Sequence, residues 1–104
     1  MRGTAGSETI CGFGGNDRIV GRGGNDVILA GKGHDDIKGG DGGDALKGGA
    51  GNDDISGGKG SDLLYGGPGD DVLNGNDGLD GCRPGPGRDV ERNCEGGIVG
   101  RQQR

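Results

Sequence analysis

A large aliphatic residue recurs along this chain at a fixed interval. Ile10, Ile19, Ile28, Ile37, Leu46, Ile55, Leu64 and Leu73 stand nine residues apart, each at the centre of a three-residue segment that reads broadly polar–aliphatic–polar. That alternation is the pattern of a short strand with its middle side chain turned inward. The six residues between one segment and the next are of the type G-G-x-G-x-D, a composition that predicts a turn. A three-residue strand cannot stand alone, so successive strands must stack. Turn–strand–turn–strand then winds into a coil of two units, eighteen residues per turn of the coil.

From Gly3 to Arg83 nine such units follow without insertion or deletion. A tenth, Pro84–Arg92, keeps the frame but has Glu91 where the aliphatic residue belongs. A repeat of this kind sets fold and ligand together. The fourth position is glycine in all ten units and the sixth is acidic in all ten. With two units per coil, the acidic column divides into two lines. Glu8, Asp26, Asp44, Asp62 and Asp80 fall on one edge, and Asp17, Asp35, Asp53, Asp71 and Asp89 on the other.

Stacked strands lie about 4.8 Å apart. Carboxylates at that spacing repel, and the sequence supplies no facing rank of Lys or Arg. A hard divalent cation between successive turns would resolve the repulsion. Calcium takes six to eight oxygens from carboxylates and carbonyls, which glycine-rich turns supply readily, whereas magnesium demands a stricter octahedron. Zinc favours His and Cys, and the chain has one His and no cysteine pair at finger spacing.

Composition strengthens this picture. Glycine supplies 31 of 104 residues, yet its period is not three, which excludes collagen. Hydrophobic residues make up only 26%, with Phe13 and Tyr65 the two aromatics, too little for a globular core. The metal-free chain is therefore expected to be largely unfolded, with metal binding supplying the missing free energy. Residues 3–83 carry fourteen acids against seven bases, which argues against nucleic acid and anionic membranes as partners. No segment approaches the length of a membrane span. Met1 and Arg2 run straight into the first unit, without a signal peptide, so the expectation is a fragment or a translation with a late start.

The units Gly48–Ser56 (GGAGNDDIS), Gly57–Tyr65 (GGKGSDLLY) and Gly66–Asn74 (GGPGDDVLN) resemble the nonapeptide G-G-x-G-x-D-x-U-x of repeats-in-toxin (RTX) proteins, U being a large aliphatic residue. The resemblance covers residues 3–83 and extends weakly to 92. It implies an all-β fold, a right-handed parallel β-roll with calcium in the turns. Each ion would sit between a turn and the next turn on the same edge. The implied ligands are the side chains of Asp17, Asp26, Asp35, Asp44, Asp53, Asp62, Asp71 and Asp80. Backbone carbonyls of Gly31, Gly33, Gly40, Gly42, Gly49, Gly51, Gly58, Gly60, Gly67 and Gly69 would complete the sites. Asp17/Asp35, Asp35/Asp53, Asp53/Asp71, Asp26/Asp44, Asp44/Asp62 and Asp62/Asp80 make about six sites, and up to eight if the ends contribute. Glu8 is a methylene too long for its turn, and Asp89 shares its unit with Pro84 and Pro86. The second-position glycine is replaced by Thr4, Phe13, Arg22 and Asn76, and those turns keep their ligand only if the carbonyl still points inward. Leu79 and Gly81 mark the ninth unit as the end of the roll. Residues 84–94 then form a cap and 95–104 a flexible tail.

Cys82 lies in the inward column and Cys94 in the polar segment beyond. A Cys82–Cys94 disulfide would close the end of the solenoid, as terminal repeats require a cap; the alternative is two free thiols. Cys11 has no evident partner, and could pair with an upstream segment or another chain. The cysteines make the chain resemble cysteine-containing secreted bacterial calcium-binding proteins. His34 reads as a solvated turn residue. Asp36, Asp54 and Asp70 read as solvated charges, while Asp41 and Asp77 could support a site through water. The expected function is a calcium-binding module of a secreted, extracellular bacterial protein. It would be monomeric, without enzymatic activity, and coupled to an upstream domain. The alternatives are a structural or adhesive solenoid, or the repeat region of a secreted hydrolase or toxin. The outward residues Arg18, Val27, Asp36, Ala45, Asp54, Leu63 and Val72 form no threonine rank of the ice-binding kind.

Overall fold

The computed structural model describes residues 6–76, 80–83, 85, 87, 89–92 and 94. Thr4, Asp77, Leu79, Pro84, Pro86 and the segment 95–104 lie outside the described residues. Among the described residues, ten strands of three residues each occupy the seventh to ninth positions of the ten units. They are β1 (Thr9–Cys11), β2 (Arg18–Val20), β3 (Val27–Leu29), β4 (Asp36–Lys38), β5 (Ala45–Lys47), β6 (Asp54–Ser56), β7 (Leu63–Tyr65), β8 (Val72–Asn74), β9 (Gly81–Arg83) and β10 (Val90–Arg92). Odd strands form one parallel sheet in the order β1-β3-β5-β7-β9 and even strands the other, β10-β8-β6-β4-β2. Partners lie eighteen residues apart, as in Ile28 opposite Leu46 and Ile37 opposite Ile55. The protein is thus a parallel β-solenoid with two nonapeptides per coil.

The aliphatic column fills the space between the sheets. Ile19, Ile28, Ile37, Leu46, Ile55, Leu64 and Leu73 have no exposed surface. Burial of each contributes roughly 1.5–3 kcal/mol. Ile10 and Cys82 pack against this core but are only partly buried, because each stands near an end of the stack. Ala30, from a turn, joins the core fully buried.

At the C-terminal end the strand ladder runs past the ninth unit. β10 pairs in register with β8, Glu91 opposite Leu73, although its three residues are exposed. Backbone pairing in a ladder does not depend on the inward side chain, so the degenerate tenth unit still adds a strand. Of the two states open to the C-terminal cysteines, the structure has the bridge. Cys82 and Cys94 are disulfide-bonded, with Cα atoms 5.7 Å apart. Cys11, partly buried on β1, is free.

The turns need glycine for two separate reasons. Gly49 has a φ of 85°, and a Cβ on it would stand 2.6 Å from the carbonyl oxygen of Gly31 in the preceding turn of the same edge. Phe13, Arg22 and Asn76 occupy the same second position with φ values of 75°, 76° and 66°. They therefore keep the left-handed backbone at a cost of about 1–2 kcal/mol each. The Phe13 and Arg22 carbonyls keep their direction along the stack too, accepting the N–H groups of Lys32 and Asp41 at 3.1 and 2.8 Å.

Candidate metal centre

The sixth-position aspartates form two continuous buried stacks at the edges of the sheets. Asp26, Asp35, Asp44, Asp53, Asp62, Asp71 and Asp80 are no more than 3% exposed. Each carboxylate reaches back to the turn before it on the same edge. On one edge the N–H groups of Glu8, Asp26, Asp44 and Asp62 donate to Oδ1 of Asp26, Asp44, Asp62 and Asp80, at 2.7–2.9 Å. On the other, those of Asp17, Asp35, Asp53 and Asp71 donate to Oδ1 of Asp35, Asp53, Asp71 and Asp89, at 2.7–3.0 Å. All six pairs expected from the sequence are brought together, and both terminal pairs are joined in the same way.

The second carboxylate oxygen tells a different story. Oδ2 of Asp17, Asp26, Asp35, Asp44, Asp53, Asp62 and Asp71 is buried without a hydrogen-bond partner. Such an atom is costly unless something else balances it. At the first position of most units, where the residue is glycine, a side chain would run into this oxygen. A Cβ on Gly12 would stand 2.6 Å from Asp17 Oδ2 and 2.7 Å from the carbonyl oxygen of Ala30 in the next turn. The equivalent point at Gly21 is 2.7 Å from both Asp26 Oδ2 and the Gly39 oxygen, and at Gly39 it is 2.6 Å from Asp44 Oδ2 and 2.8 Å from the Gly57 oxygen. At each of these points a carboxylate oxygen and a carbonyl oxygen of the next turn converge, both of them donors that calcium takes. The sequence does not single out these first-position carbonyls. They come to the site only because the next turn stacks directly on this one.

The second- and fourth-position glycines direct their carbonyls along the stack. The oxygens of Gly31, Gly40, Gly49 and Gly67 face Gly49, Gly58, Gly67 and Gly85 of the next turn, and those of Gly33, Gly42, Gly51 and Gly69 face Gly51, Gly60, Gly69 and Gly87. Gly58 and Gly60 share the positive φ of these positions. Among the described residues no three His, Cys, Asp or Glu side chains converge as a metal cluster. A cation here would therefore depend on carbonyls for much of its shell, a donor set of oxygens alone that suits calcium.

Electrostatics points the same way. Burial, partly offset by the backbone hydrogen bond each accepts or shares, pushes Asp53 and Asp62 up to about 7 and Asp44 up to about 6. Carboxylates in neighbouring turns add to the rise. Asp71 and Asp89 are raised for the same first reason, desolvation. The stacks resist full negative charge unless a cation joins them.

A second ladder, built from the fifth position, was not expected. Asn16 Oδ1 accepts the His34 N–H at 2.9 Å, His34 Nδ1 accepts the Asn52 N–H at 3.0 Å, and Asn52 Oδ1 accepts the Asp70 N–H at 2.7 Å. On the other edge Ser7 Oγ and Asn25 Oδ1 accept the N–H groups of Asn25 and Gly43. His34 is exposed, as expected of a turn residue, but its ring is a rung of this ladder. The signal in the sequence is the fifth column itself: Ser7, Asn16, Asn25, His34, Asn52, Ser61 and Asp70 all carry short acceptor side chains. Asp36 meets Arg18 Nε at 3.7 Å on the surface, and the exposed Asp41 donates its N–H to Arg22. A groove of about 630 Å³ on the even face is lined by His34, Asp36, Asn52, Asp54 and Asp70, among others.

The model of the RTX calcium-binding nonapeptide repeat, four copies long, matches residues 2–37, 12–46 and 47–82. The chain belongs to this family and is an RTX calcium-binding repeat module, of a kind typical of secreted bacterial proteins. Searches of curated proteins and of solved structures found no match.

Proposed function

We propose that this module folds when calcium enters the gaps between its stacked turns, outside the bacterial cell, where calcium is abundant. The observation that carries this reading is the row of buried Oδ2 atoms without partners, with a carbonyl oxygen of the next turn converging on those of Asp17, Asp26 and Asp44. The ions would be held by Asp17/Asp35, Asp35/Asp53, Asp53/Asp71, Asp26/Asp44, Asp44/Asp62 and Asp62/Asp80. Carbonyls of the glycine turns would complete each shell. That makes about six ions, with Glu8/Asp26 and Asp71/Asp89 as weaker terminal sites. Calcium supplies positive charge between carboxylates; the chain supplies a fixed spacing and a set of preformed oxygens.

In this reading the module catalyses nothing. The groove beside His34 contains no serine or cysteine nucleophile among its lining residues, and His34 Nδ1 already accepts the Asn52 N–H. Its work is to make the folding of a secreted, monomeric protein, or of an attached upstream domain, depend on calcium. The test is a calcium titration followed by calorimetry and far-UV circular dichroism, with magnesium as control. Cooperative uptake of about six ions together with gain of β-structure supports the reading. Full β-structure in chelator, with no calcium uptake, overturns it.

A further inference from the structure

The first position of each unit is set apart from the second and fourth. Gly12, Gly21, Gly39, Gly48 and Gly57 are absent from the residues with positive φ, so glycine there does not serve backbone conformation. It serves space. A Cβ at any of the five would press on Oδ2 of its own unit's aspartate, Asp17, Asp26, Asp44, Asp53 or Asp62.

The fourth unit breaks this rule, because its first residue is Ala30. Its backbone occupies the same place as the glycines. The Ala30 N–H donates to Lys47 O at 2.9 Å, as Gly21 N–H donates to Lys38 O and Gly39 N–H to Ser56 O at 2.8 and 2.9 Å. The Ala30 methyl is fully buried in the core cluster. By the same register the methyl is directed toward Asp35 Oδ2 and the first-position carbonyl of the next turn, that of Gly48, where the glycine units carry only a hydrogen. Asp35 itself is 3% exposed, and its Oδ2 has no hydrogen-bond partner. The oxygens of this cradle are present, but a methyl group takes up room beside them.

We infer that Ala30 makes the Asp35 cradle the weakest of the interior calcium sites, so that calcium uptake divides into a tight set and one late ion. The inference rests on the calcium reading above and adds to it a residue that grades affinity within the repeat. Site rigidity and ligand geometry tune calcium affinity over several orders of magnitude, and a crowded shell belongs at the weak end. The even edge would then fill last at its centre, while the odd edge, with glycine at Gly21, Gly39 and Gly57, fills evenly.

The experiment is equilibrium dialysis with radioactive calcium on the wild-type chain, Ala30→Gly and the reciprocal Gly39→Ala. The wild type should show one ion bound about tenfold or more weakly than the rest. Ala30→Gly should move that ion into the tight set with total stoichiometry unchanged, and Gly39→Ala should add a second weak ion. Ala30→Gly alone decides the matter if Gly39→Ala does not fold. Identical isotherms for the wild type and Ala30→Gly overturn the role of Ala30 and leave the calcium reading standing. No calcium uptake by any of the chains overturns both.

Discussion

Two kinds of stack run the length of this solenoid, and they are buried to the same degree but not equally complete. The aliphatic stack, Ile19 to Leu73, has no exposed surface and asks nothing further of its surroundings. The aspartate stacks at the edges are as well hidden, and every carboxylate from Asp26 to Asp89 accepts a backbone N–H through Oδ1. Along most of them, however, Oδ2 has no hydrogen-bond partner. Non-polar side chains are satisfied by contact alone, whereas a buried carboxylate needs a partner for each oxygen and for its charge. The same coil thus contains a part that chain folding completes and a part that it leaves for a cation.

The largest expected effect separates the two parts. Chelating calcium should abolish most of the β signal in far-UV circular dichroism, and magnesium at equal concentration should fail to restore it. A spectrum indifferent to chelator would mean that the aliphatic stack is sufficient. Next comes pH, acting on several aspartates at once. In the metal-free protein Asp53 and Asp62 titrate near 7 and Asp44 near 6, against 3.8 for the ordinary value. Between about pH 4 and 7 the folded state then binds more protons than the unfolded state, so its stability falls as pH rises through that window. Circular dichroism in chelator should therefore show more residual β-structure at pH 4.5 than at pH 8. With calcium present the trend should reverse, because protons and cation compete for the same oxygens.

Substitutions sharpen the contrast on a smaller scale. Leu46→Ala empties one place in the aliphatic stack and should cost about 2–5 kcal/mol in urea unfolding of the calcium-loaded protein, with its neighbours still binding calcium. Cys82→Ser opens a bridge spanning 12 residues and should cost about 3 kcal/mol, read as a lower unfolding midpoint that reductant no longer alters. The fifth-position ladder lies at the wet margin between the two. Asn52→Ala removes the acceptor of the Asp70 N–H and should cost only about 0.5–1.5 kcal/mol by the same measurement.

Much of this was legible in the chain. The nine-residue interval placed the strands of the nine full repeats, though not β10, and the parity of the units assigned each to its sheet, because a strict period in sequence becomes a strict translation in space. The inward aliphatic column and the two acidic lines followed from the same register. The sequence also carried the family resemblance, through nine unbroken copies of one motif. What it left open depended on distance across the coil rather than along it. Whether Cys82 met Cys94, whether Phe13 and Arg22 kept their carbonyl direction, and whether Glu91 ended the ladder were decided by packing and backbone pairing. The pairing of Oδ1 with the amide eighteen residues earlier, and the first-position carbonyl beside Oδ2, arise only when one turn rests on another. Periodicity determined which residues stack; the stacking itself decided which of their atoms found a partner.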